Sequence, residues 1–428
     1  MKDYLLSATG FHAAGLCNVQ FFSSFCAFPY GCSGGVRAAP SNNDFTDMPS
    51  LCSPHNGCFS GCGLTRYRLS AAWIAVLMLF LASSVLSGCS SSVIVESNVR
   101  GTTIDVFYAT DRNFVGDAEH PPLYGNERDT LRYGLLQIER LPDHAIGSME
   151  DETLVDGKRH DFVMLPGSPR HLTQEEFFEQ LFRGVEDGER RDILLYVHGY
   201  NTTFDKAALT LAQVVSDLDF RGDAVLFSWP SAGKLLGYVR DQNNTDWSRV
   251  HLKAFLKELV SWAGHKRLCL LAHSMGNREL LTSLLELKKE RPEIAEKIRV
   301  MIFAAPDVDS EVFCRDMAPL LADDNTLVTI YVARKKDKAL NASKKLNGYV
   351  RLGGVDGEPV VMPGIDTVDV TNIDTAPFGH CYFARSRSVL ADMYAIINGG
   401  LRAESRFSLS PVEYEKMGEK KIYWIFEK

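Results

Sequence analysis

Basic residues are in the minority in this chain of 428 residues, with 46 Lys and Arg against 54 Asp and Glu and a net charge of −8. Without a basic excess the chain has no global field that attracts phosphate backbones, so nucleic acid is excluded as its main partner. Charged residues still make up 23% and hydrophobic residues 45% of the chain. This composition excludes a disordered chain and a polytopic membrane protein.

Cysteine is scarce after residue 88, where four of the ten cysteines remain: Cys89, Cys269, Cys314 and Cys381. The six that precede residue 65 match no zinc-ligand spacing. The later part of the chain therefore needs no disulfide framework, and Cys269, in an apolar run, is predicted to be a core residue. The sequence implies no metal and no organic cofactor.

A long uncharged apolar run extends from Leu69 to Leu86, after Arg66 and Arg68 and before Ser87-Gly88-Cys89. This is the layout of a secretory signal. Residues 86–89 also resemble a bacterial lipobox, which predicts lipidation of Cys89. An uncleaved membrane anchor is the alternative, because about 18 apolar residues are just enough to span a bilayer. Both interpretations predict a protein of the bacterial cell envelope, anchored in the membrane and facing the periplasmic side.

These features divide the chain into five segments. Signal sequences begin close to a chain start, so residues 1–64 are predicted to be a misassigned or non-structural extension. Residues 65–88 form the signal peptide or anchor, and the polar residues 89–100 form a tether. A globular domain is expected over residues 101–400, followed by a C-terminal extension, 401–428.

From residue 101 onwards, strand-like and helix-like segments alternate. This pattern predicts an α/β fold with a mostly parallel central sheet and helices on both faces. Two early strands, Thr103–Ala109 and Tyr133–Arg140, are expected to be antiparallel. The buried parallel strands are predicted at Ile193–Val197, Ala224–Phe227, Leu268–Ala272 and Val300–Ala304, with Thr326–Val332 and Val368–Val370 extending the series. The alternation of Ile422, Trp424 and Phe426 indicates a late strand without an identified partner.

The segment Ala272-His273-Ser274-Met275-Gly276 lies between a predicted strand and a predicted helix. A strand, a sharp turn and a helix around a serine form a nucleophile elbow, which requires small residues two positions on either side of the serine. Ala272 replaces the usual first glycine at the cost of one methyl group. We therefore predict that Ser274 is a nucleophile, with a helix N-cap serine as the alternative.

A serine nucleophile needs a histidine base and an acid that orients this base. The only histidine after Ser274 is His380, which makes it the predicted base. Three carboxylates follow predicted strands and are candidates for the acid. Asp337 is preferred because it follows the penultimate strand, whereas Asp307 and Asp309 follow the strand before it. The carboxylates not used are expected to be caps or loop-ordering groups.

An oxyanion hole requires two backbone N–H groups that point at the developing charge. Met275, directly after the nucleophile, should supply one of them. Tyr200 should supply the other, since Gly199 lets the backbone approach the substrate closely. His198 is predicted to order this loop. Ser228-Trp229-Pro230-Ser231 is interpreted either as lining for an acyl pocket or as a turn with a packed tryptophan.

Five short motifs together resemble the bacterial alpha/beta hydrolases of the DUF900 family over most of residues 101–400. They are H-G-Y-N at His198, S-W-P-S at Ser228, A-H-S-M-G-N at Ala272, A-P-D-V-D at Ala305 and G-H-C-Y-F at Gly379. The resemblance implies the alpha/beta-hydrolase fold and an esterase- or lipase-like serine hydrolase whose substrates are undefined. It supports Ser274 and His380 directly, and the acid by position.

The sequence thus predicts a membrane-tethered serine hydrolase that cleaves carboxylic esters or thioesters of small molecules or lipids, without a cofactor. A peptidase or amidase on the same fold is one alternative, because the triad does not select the leaving group. A non-catalytic scaffold or a lipid-handling protein of the envelope is another. The oligomeric state and the acyl length are left open.

Overall fold

The computed structural model describes residues 101–116, 123–148, 161–183, 191–323, 325–334, 337–355, 357–373 and 380–427. They belong to one compact unit, Val93–Lys428. The predicted N-terminal extension, the signal or anchor, the tether and Cys89 all lie outside the described residues. Within the ranges given above, no helix combines the length and the apolar character needed to cross a bilayer.

The described strands form one sheet in the order β12-β13-β11-β9-β8-β7-β5-β6-β1-β2-β3, with β10 beside β9 and β4 beside β2. Their bounds are β1 Thr102–Phe114, β2 Tyr124–Arg140, β3 Phe162–Met164, β4 Arg170–Leu172, β5 Ile193–Val197, β6 Asp223–Ser228, β7 Leu268–His273, β8 Ile298–Ala304, β9 Leu327–Arg334, β10 Gly354–Val355, β11 Ile365–Asp369, β12 Leu409–Lys416 and β13 Glu419–Phe426.

The centre of the sheet is parallel, as predicted. Strands β6, β5, β7, β8, β9 and β11 all pair in parallel with their neighbours in this order. The four predicted buried runs coincide with β5 to β8, whose described residues are nearly all buried. The early pair, β1 and β2, is antiparallel, as expected. Because parallel strands end at one edge, the loops after them meet there.

Helices cover both faces of the sheet, which also confirms the prediction. Their bounds are α1 Gln174–Leu181, α2 Phe204–Asp217, α3 Tyr238–Trp262, α4 Gly276–Glu290, α5 Ser310–Val312, α6 Ala318–Leu321, α7 Lys338–Asn347, α8 Tyr382–Arg385 and α9 Arg387–Ile397. Alternate residues of β5 enter two separate cores: Leu194 packs with α2, α8 and α9, and Leu195 packs with α1, α3 and α4. This division arises because successive side chains of a β-strand point to opposite faces of the sheet. Cys269 is a buried core residue with a free thiol, as predicted.

The C-terminal segment, set apart from the domain in the sequence, continues the same sheet. Strand β13 pairs in parallel with β11, Val368 opposite Trp424, and β12 pairs antiparallel with β13. The late strand is therefore confirmed, and its partner is β11. Between α9 and β12, the fully buried Arg406 donates hydrogen bonds to Asp392 (2.8 Å) and Asp366 (2.7 Å). This ion-paired arginine connects the C-terminal hairpin to the body of the fold.

Candidate active site

Ser274 occupies a sharp turn between β7 and α4. Its φ of 52° is in the left-handed region, which a non-glycine residue adopts only where the surroundings enforce it. A Cβ atom at Gly276 would lie 2.3 Å from the carbonyl oxygen of His198, so this position requires glycine. Ala272 is completely buried, so its methyl group is accommodated within the core. The elbow geometry predicted for this segment is present.

The structure brings Ser274, His380 and Asp337 into one hydrogen-bonded row. The Ser274 Oγ lies 2.7 Å from His380 Nε2, and His380 Nδ1 lies 2.6 Å from Asp337 Oδ2. An ionised carboxylate only accepts, so Nδ1 carries the proton and Nε2 is left to accept from the serine hydroxyl. This is the arrangement that a serine nucleophile and its base require.

Asp337 is held in place by the helix that follows it. Its Oδ1 accepts from the backbone N–H of Leu340 (3.0 Å), so Asp337 is the N-cap of α7 while its Oδ2 holds His380. The side chain is 1% exposed. Both oxygens are thus fixed, and the orientation of His380 depends on a rigid helix terminus.

The two other candidate acids have different partners. Asp307 lies 2.8 Å from the hydroxyl of Tyr238 and 3.3 Å from Arg278 Nη2. Asp309 is the N-cap of α5 and accepts from two backbone N–H groups, those of Glu311 and Val312. Neither side chain forms a described hydrogen bond with His380. Their contacts are those of a loop-ordering carboxylate and of a helix cap.

The protonation equilibrium of His380 reflects two opposing effects. Burial alone lowers the pKa of His380, but the charge and the hydrogen bond of Asp337 outweigh it, with a further contribution from Asp307. The net result is a pKa above the ordinary value of a histidine. A raised pKa strengthens His380 as a proton acceptor.

The loop after β5 lies against the elbow, where the predicted oxyanion donors are expected. A Cβ atom at Gly199 would be 2.9 Å from Ser274 Cβ and 2.8 Å from His273 Nδ1. Gly199 is therefore needed for this close approach, and Tyr200 follows it directly. Met275 is buried and takes the N-cap position of α4. Both predicted donor residues are thus neighbours of the serine.

A buried arginine that the sequence analysis missed, Arg112, holds this loop. At the end of β1 it donates to the carbonyl oxygen of Thr202 (2.7 Å), to Ser228 Oγ (2.9 Å) and to the carbonyl oxygen of Ser231 (3.1 Å). Its Nη2 also lies 3.3 Å from His198 Nε2. The signal available in the sequence was the charged pair Asp111-Arg112, which follows the apolar part of β1.

His198 orders the loop, as predicted. Its Nε2 faces Arg112, which only donates, so Nε2 accepts and Nδ1 donates to the carbonyl oxygen of Gly199 (2.9 Å). Burial and the charge of Arg112 lower the pKa of His198 to about 3. The ring stacks on Trp229, whose Nε1 donates to the carbonyl oxygen of His198 (2.8 Å). Since Trp229 is completely buried, the packed-turn interpretation of the S-W-P-S motif fits this residue.

His273, the residue before the nucleophile, connects the elbow to the loop of the base. Burial and the charge of the nearby His380 lower the pKa of His273 to about 3, so the ring is neutral at physiological pH. Its Nε2 donates to the carbonyl oxygen of His380 (3.0 Å). Across the described ranges, no cluster of three or more His, Cys, Asp or Glu side chains is suited to hold a metal ion.

Residues 173–398, more than half of the chain, match the family described as alpha/beta hydrolase of unknown function (DUF900). The chain belongs to the DUF900 family. The resemblance drawn from the five motifs is confirmed, and so is the alpha/beta-hydrolase fold. The match of this DUF900 protein begins at the N-cap of α1, so strands β1 to β4 precede it. Arg112 therefore lies outside the matched region although it supports the site.

A comparison with solved structures found partial likenesses. An uncharacterized protein from Bacillus cereus is 13% identical, with 51% of this chain and 63% of that chain covered and a TM-score of 0.32. A cold-adapted esterase from an Arctic intertidal metagenomic library is 15% identical (50% and 84% covered, TM-score 0.30). The phospholipase PlaB from Legionella pneumophila is 12% identical (55% and 68% covered, TM-score 0.30). At these TM-scores the likenesses do not bear on the activity of this chain. No curated protein sequence matches it.

Proposed function

We propose that this DUF900 protein is a membrane-tethered serine hydrolase that cleaves carboxylic esters or thioesters through an acyl-enzyme. The observation that supports it is the continuous row from Asp337 through His380 to Ser274, with contacts of 2.6 and 2.7 Å. A serine on a strained turn, a histidine with a raised pKa and a fully fixed carboxylate meet the requirements for nucleophilic catalysis.

In the proposed mechanism, Ser274 Oγ attacks the carbonyl carbon of the substrate and its proton passes to His380 Nε2. Asp337 stabilises the imidazolium and holds its orientation. The N–H groups of Met275 and Tyr200 stabilise the negative oxygen of the tetrahedral intermediate. The bond to the leaving alcohol or thiol then breaks, and that group takes the proton from Nε2. A water molecule then attacks the acyl-enzyme and gives its proton to His380 Nε2. The bond to Ser274 Oγ breaks, Ser274 regains the proton, and the carboxylic acid is released.

The first experiment is hydrolysis of a p-nitrophenyl ester series, from acetate to palmitate, by the full chain and its Ser274→Ala variant. We expect the variant to lose at least about 10³-fold in kcat, because loss of a triad nucleophile leaves only the oxyanion hole and binding. A fluorophosphonate probe should label the wild type at Ser274 and leave the variant unlabelled.

Other outcomes would change the proposal in defined ways. Hydrolysis of p-nitroanilides in preference to the matching esters would assign the site to a peptidase or amidase. Failure to label, together with no turnover of esters, thioesters or amides, would overturn the enzymatic proposal in favour of a binding module. For an esterase and for an amidase alike, the dependence of the rate on the length of the acyl chain reports the size of the acyl site.

A further inference from the structure

Four large apolar side chains project into solvent on two segments beside the candidate site. Leu236 is 100% exposed, Val239 and Leu346 are 64% exposed, and Tyr349 is 60% exposed. Leu236 and Val239 flank the start of α3, while Leu346 and Tyr349 flank the end of α7. We call these four residues the apolar rim. Contiguous exposed apolar surface of this kind marks a site of interaction.

Hydrogen bonds join the two halves of the apolar rim to each other. Tyr238, directly before Val239, accepts from Asn347 Nδ2 (2.9 Å), and Asn347 directly follows Leu346. The same Tyr238 hydroxyl donates to Asp307 Oδ2 (2.8 Å). The start of α3 and the end of α7 therefore lie directly beside each other.

Short connections also place the apolar rim next to the elbow. The backbone N–H of Asp307 donates to the carbonyl oxygen of Ser274 (3.1 Å). On the other side, the Tyr200 hydroxyl donates to the carbonyl oxygen of Lys234 (3.3 Å), two residues before Leu236. Asp337 is the N-cap of helix α7, which ends at the rim. The rim is thus connected to the elbow through Asp307, to the loop of a predicted oxyanion donor through Tyr200, and to the candidate acid through α7.

The two segments that carry the apolar rim have a net positive charge. Residues 233–239 and 338–349 contain four lysines, Lys234, Lys338, Lys344 and Lys345, and no aspartate or glutamate. Lys234, Lys338 and Lys345 are exposed. The whole chain carries −8, so these two segments differ in sign from the chain as a whole. Exposed Leu and Tyr side chains with lysines around them suit the boundary of an anionic bilayer, where apolar groups insert and ammonium groups meet headgroups.

We propose that the apolar rim docks the protein onto a bilayer surface that carries anionic headgroups, and that the ester cleaved at Ser274 belongs to a lipid of that bilayer. This inference rests on the proposed function for its second part only. Docking itself requires no chemistry. Leu236, as the most exposed of the four, is expected to enter the bilayer furthest.

The first experiment measures insertion of position 236 into a bilayer, with the full chain. The protein also carries Ser274→Ala, so that it does not hydrolyse the lipid during the measurement. A Leu236→Trp variant is mixed with phosphatidylcholine vesicles and with vesicles that also contain phosphatidylglycerol, some carrying brominated acyl chains. The spectrum of the parent protein is subtracted. We expect a blue shift and bromine quenching of the added fluorescence with anionic vesicles, and much less with phosphatidylcholine alone.

A Met417→Trp variant is the matched control. Met417 is 96% exposed and lies in the turn before β13. Strand β13 is four sheet positions from β7, or roughly 19 Å at about 4.8 Å per strand. The control should show no quenching. It also separates docking by the rim from any anchoring by the N-terminal part of the chain, which both variants share.

Activity provides a second readout with Ser274 intact. We expect a Leu236→Ser/Val239→Ser variant to lower the ratio of vesicle-borne lipid hydrolysis to soluble short-chain ester hydrolysis at least about tenfold. Lys344→Gln/Lys345→Gln should weaken binding to anionic vesicles by about fivefold per lysine, and added salt should reduce this difference.

The outcomes separate the two proposals. Absence of quenching at position 236 with both kinds of vesicle would overturn the docking proposal, and equal quenching with both would overturn the assignment of an anionic surface. A dimer in sedimentation that Leu236→Ser converts to a monomer would assign the rim to a second copy of the chain. If position 236 is quenched but no ester is cleaved, docking stands and the proposed function fails.

Discussion

The side chain of Asp337 shows how one carboxylate among several neighbours acquires a special position. Asp337 and Asp307 both follow parallel strands and lie near His380, so the sequence alone ranks them only by topology. The difference arises from what comes next: Asp337 caps α7 and keeps Oδ2 for the histidine, whereas Asp307 is engaged by Tyr238 and Arg278. These partners come from distant parts of the chain.

The proposed role of Asp337 predicts a change in both the rate and the pH profile. The base must be neutral to accept a proton, so activity falls as the pH drops through the pKa of His380, which lies above its ordinary value of about 6.5. We expect Asp337→Asn to lower kcat by about 10⁴-fold, because the imidazolium loses its counter-charge and its orientation. The acidic limb of kcat/KM should move to lower pH, since the main effect that raises the pKa is removed.

The control for this prediction is Asp307→Asn, measured on the same ester. Asp307 also raises the pKa of His380 through its charge, but it makes no described hydrogen bond to the ring. We expect a small shift of the acidic limb and a kcat within about tenfold of the wild type. A larger loss in Asp307→Asn than in Asp337→Asn would exchange the roles assigned to the two acids.

At the scale of elements, the sequence predicted most of the parallel sheet and the sharp turn that carries Ser274. Strands β5 to β8 are continuous apolar runs, and the elbow joins β7 to α4, so local pattern was sufficient. The partner of the late strand could not be predicted, because pairing between β13 and β11 depends on contacts far apart in the chain. Arg112 was missed for the same reason: its acceptors Thr202 and Ser231 follow β5 and β6, about 90 to 120 residues later in the chain.

The junction between the C-terminal hairpin and the rest of the sheet makes a stability prediction. Arg406→Ala would leave Asp392 buried and without its arginine, and burial already raises the pKa of this carboxyl. Removing one partner of a buried pair costs about 3–5 kcal/mol. We expect the free energy of unfolding in urea to fall by this amount.

A matched variant at an exposed pair is the comparison. Arg221→Ala removes an arginine that lies 3.4 Å from Asp219, with both side chains largely exposed. Surface pairs contribute little to stability, so its unfolding midpoint should match that of the wild type. Equal midpoints for Arg406→Ala and the wild type would show that the hairpin does not depend on this ion pair.

At the scale of the whole molecule, the residues ahead of the described unit carry the predicted membrane attachment. If Cys89 is acylated, the full chain expressed in bacteria should partition into the membrane fraction and incorporate radiolabelled palmitate. Cys89→Ser should incorporate none, because a serine hydroxyl does not replace the thiol in this modification. If neither the wild type nor Cys89→Ser incorporates palmitate but both associate with the membrane, residues 65–88 are an uncleaved anchor. A wild type that is soluble and unlabelled would contradict both interpretations.

The buried guanidinium of Arg112 determines when the loop beside Ser274 becomes ordered during folding. Arg112 lies on the first described strand, and its acceptors Thr202 and Ser231 lie on the loops that follow β5 and β6, so the loop beside Ser274 cannot be held until these distant segments have met. Long-range contacts of this kind form late in folding, after local helices and turns. In a newly synthesised or partly unfolded chain, local helices would therefore form before the loop beside Ser274 is ordered. The proposed activity would then appear only with the finished fold.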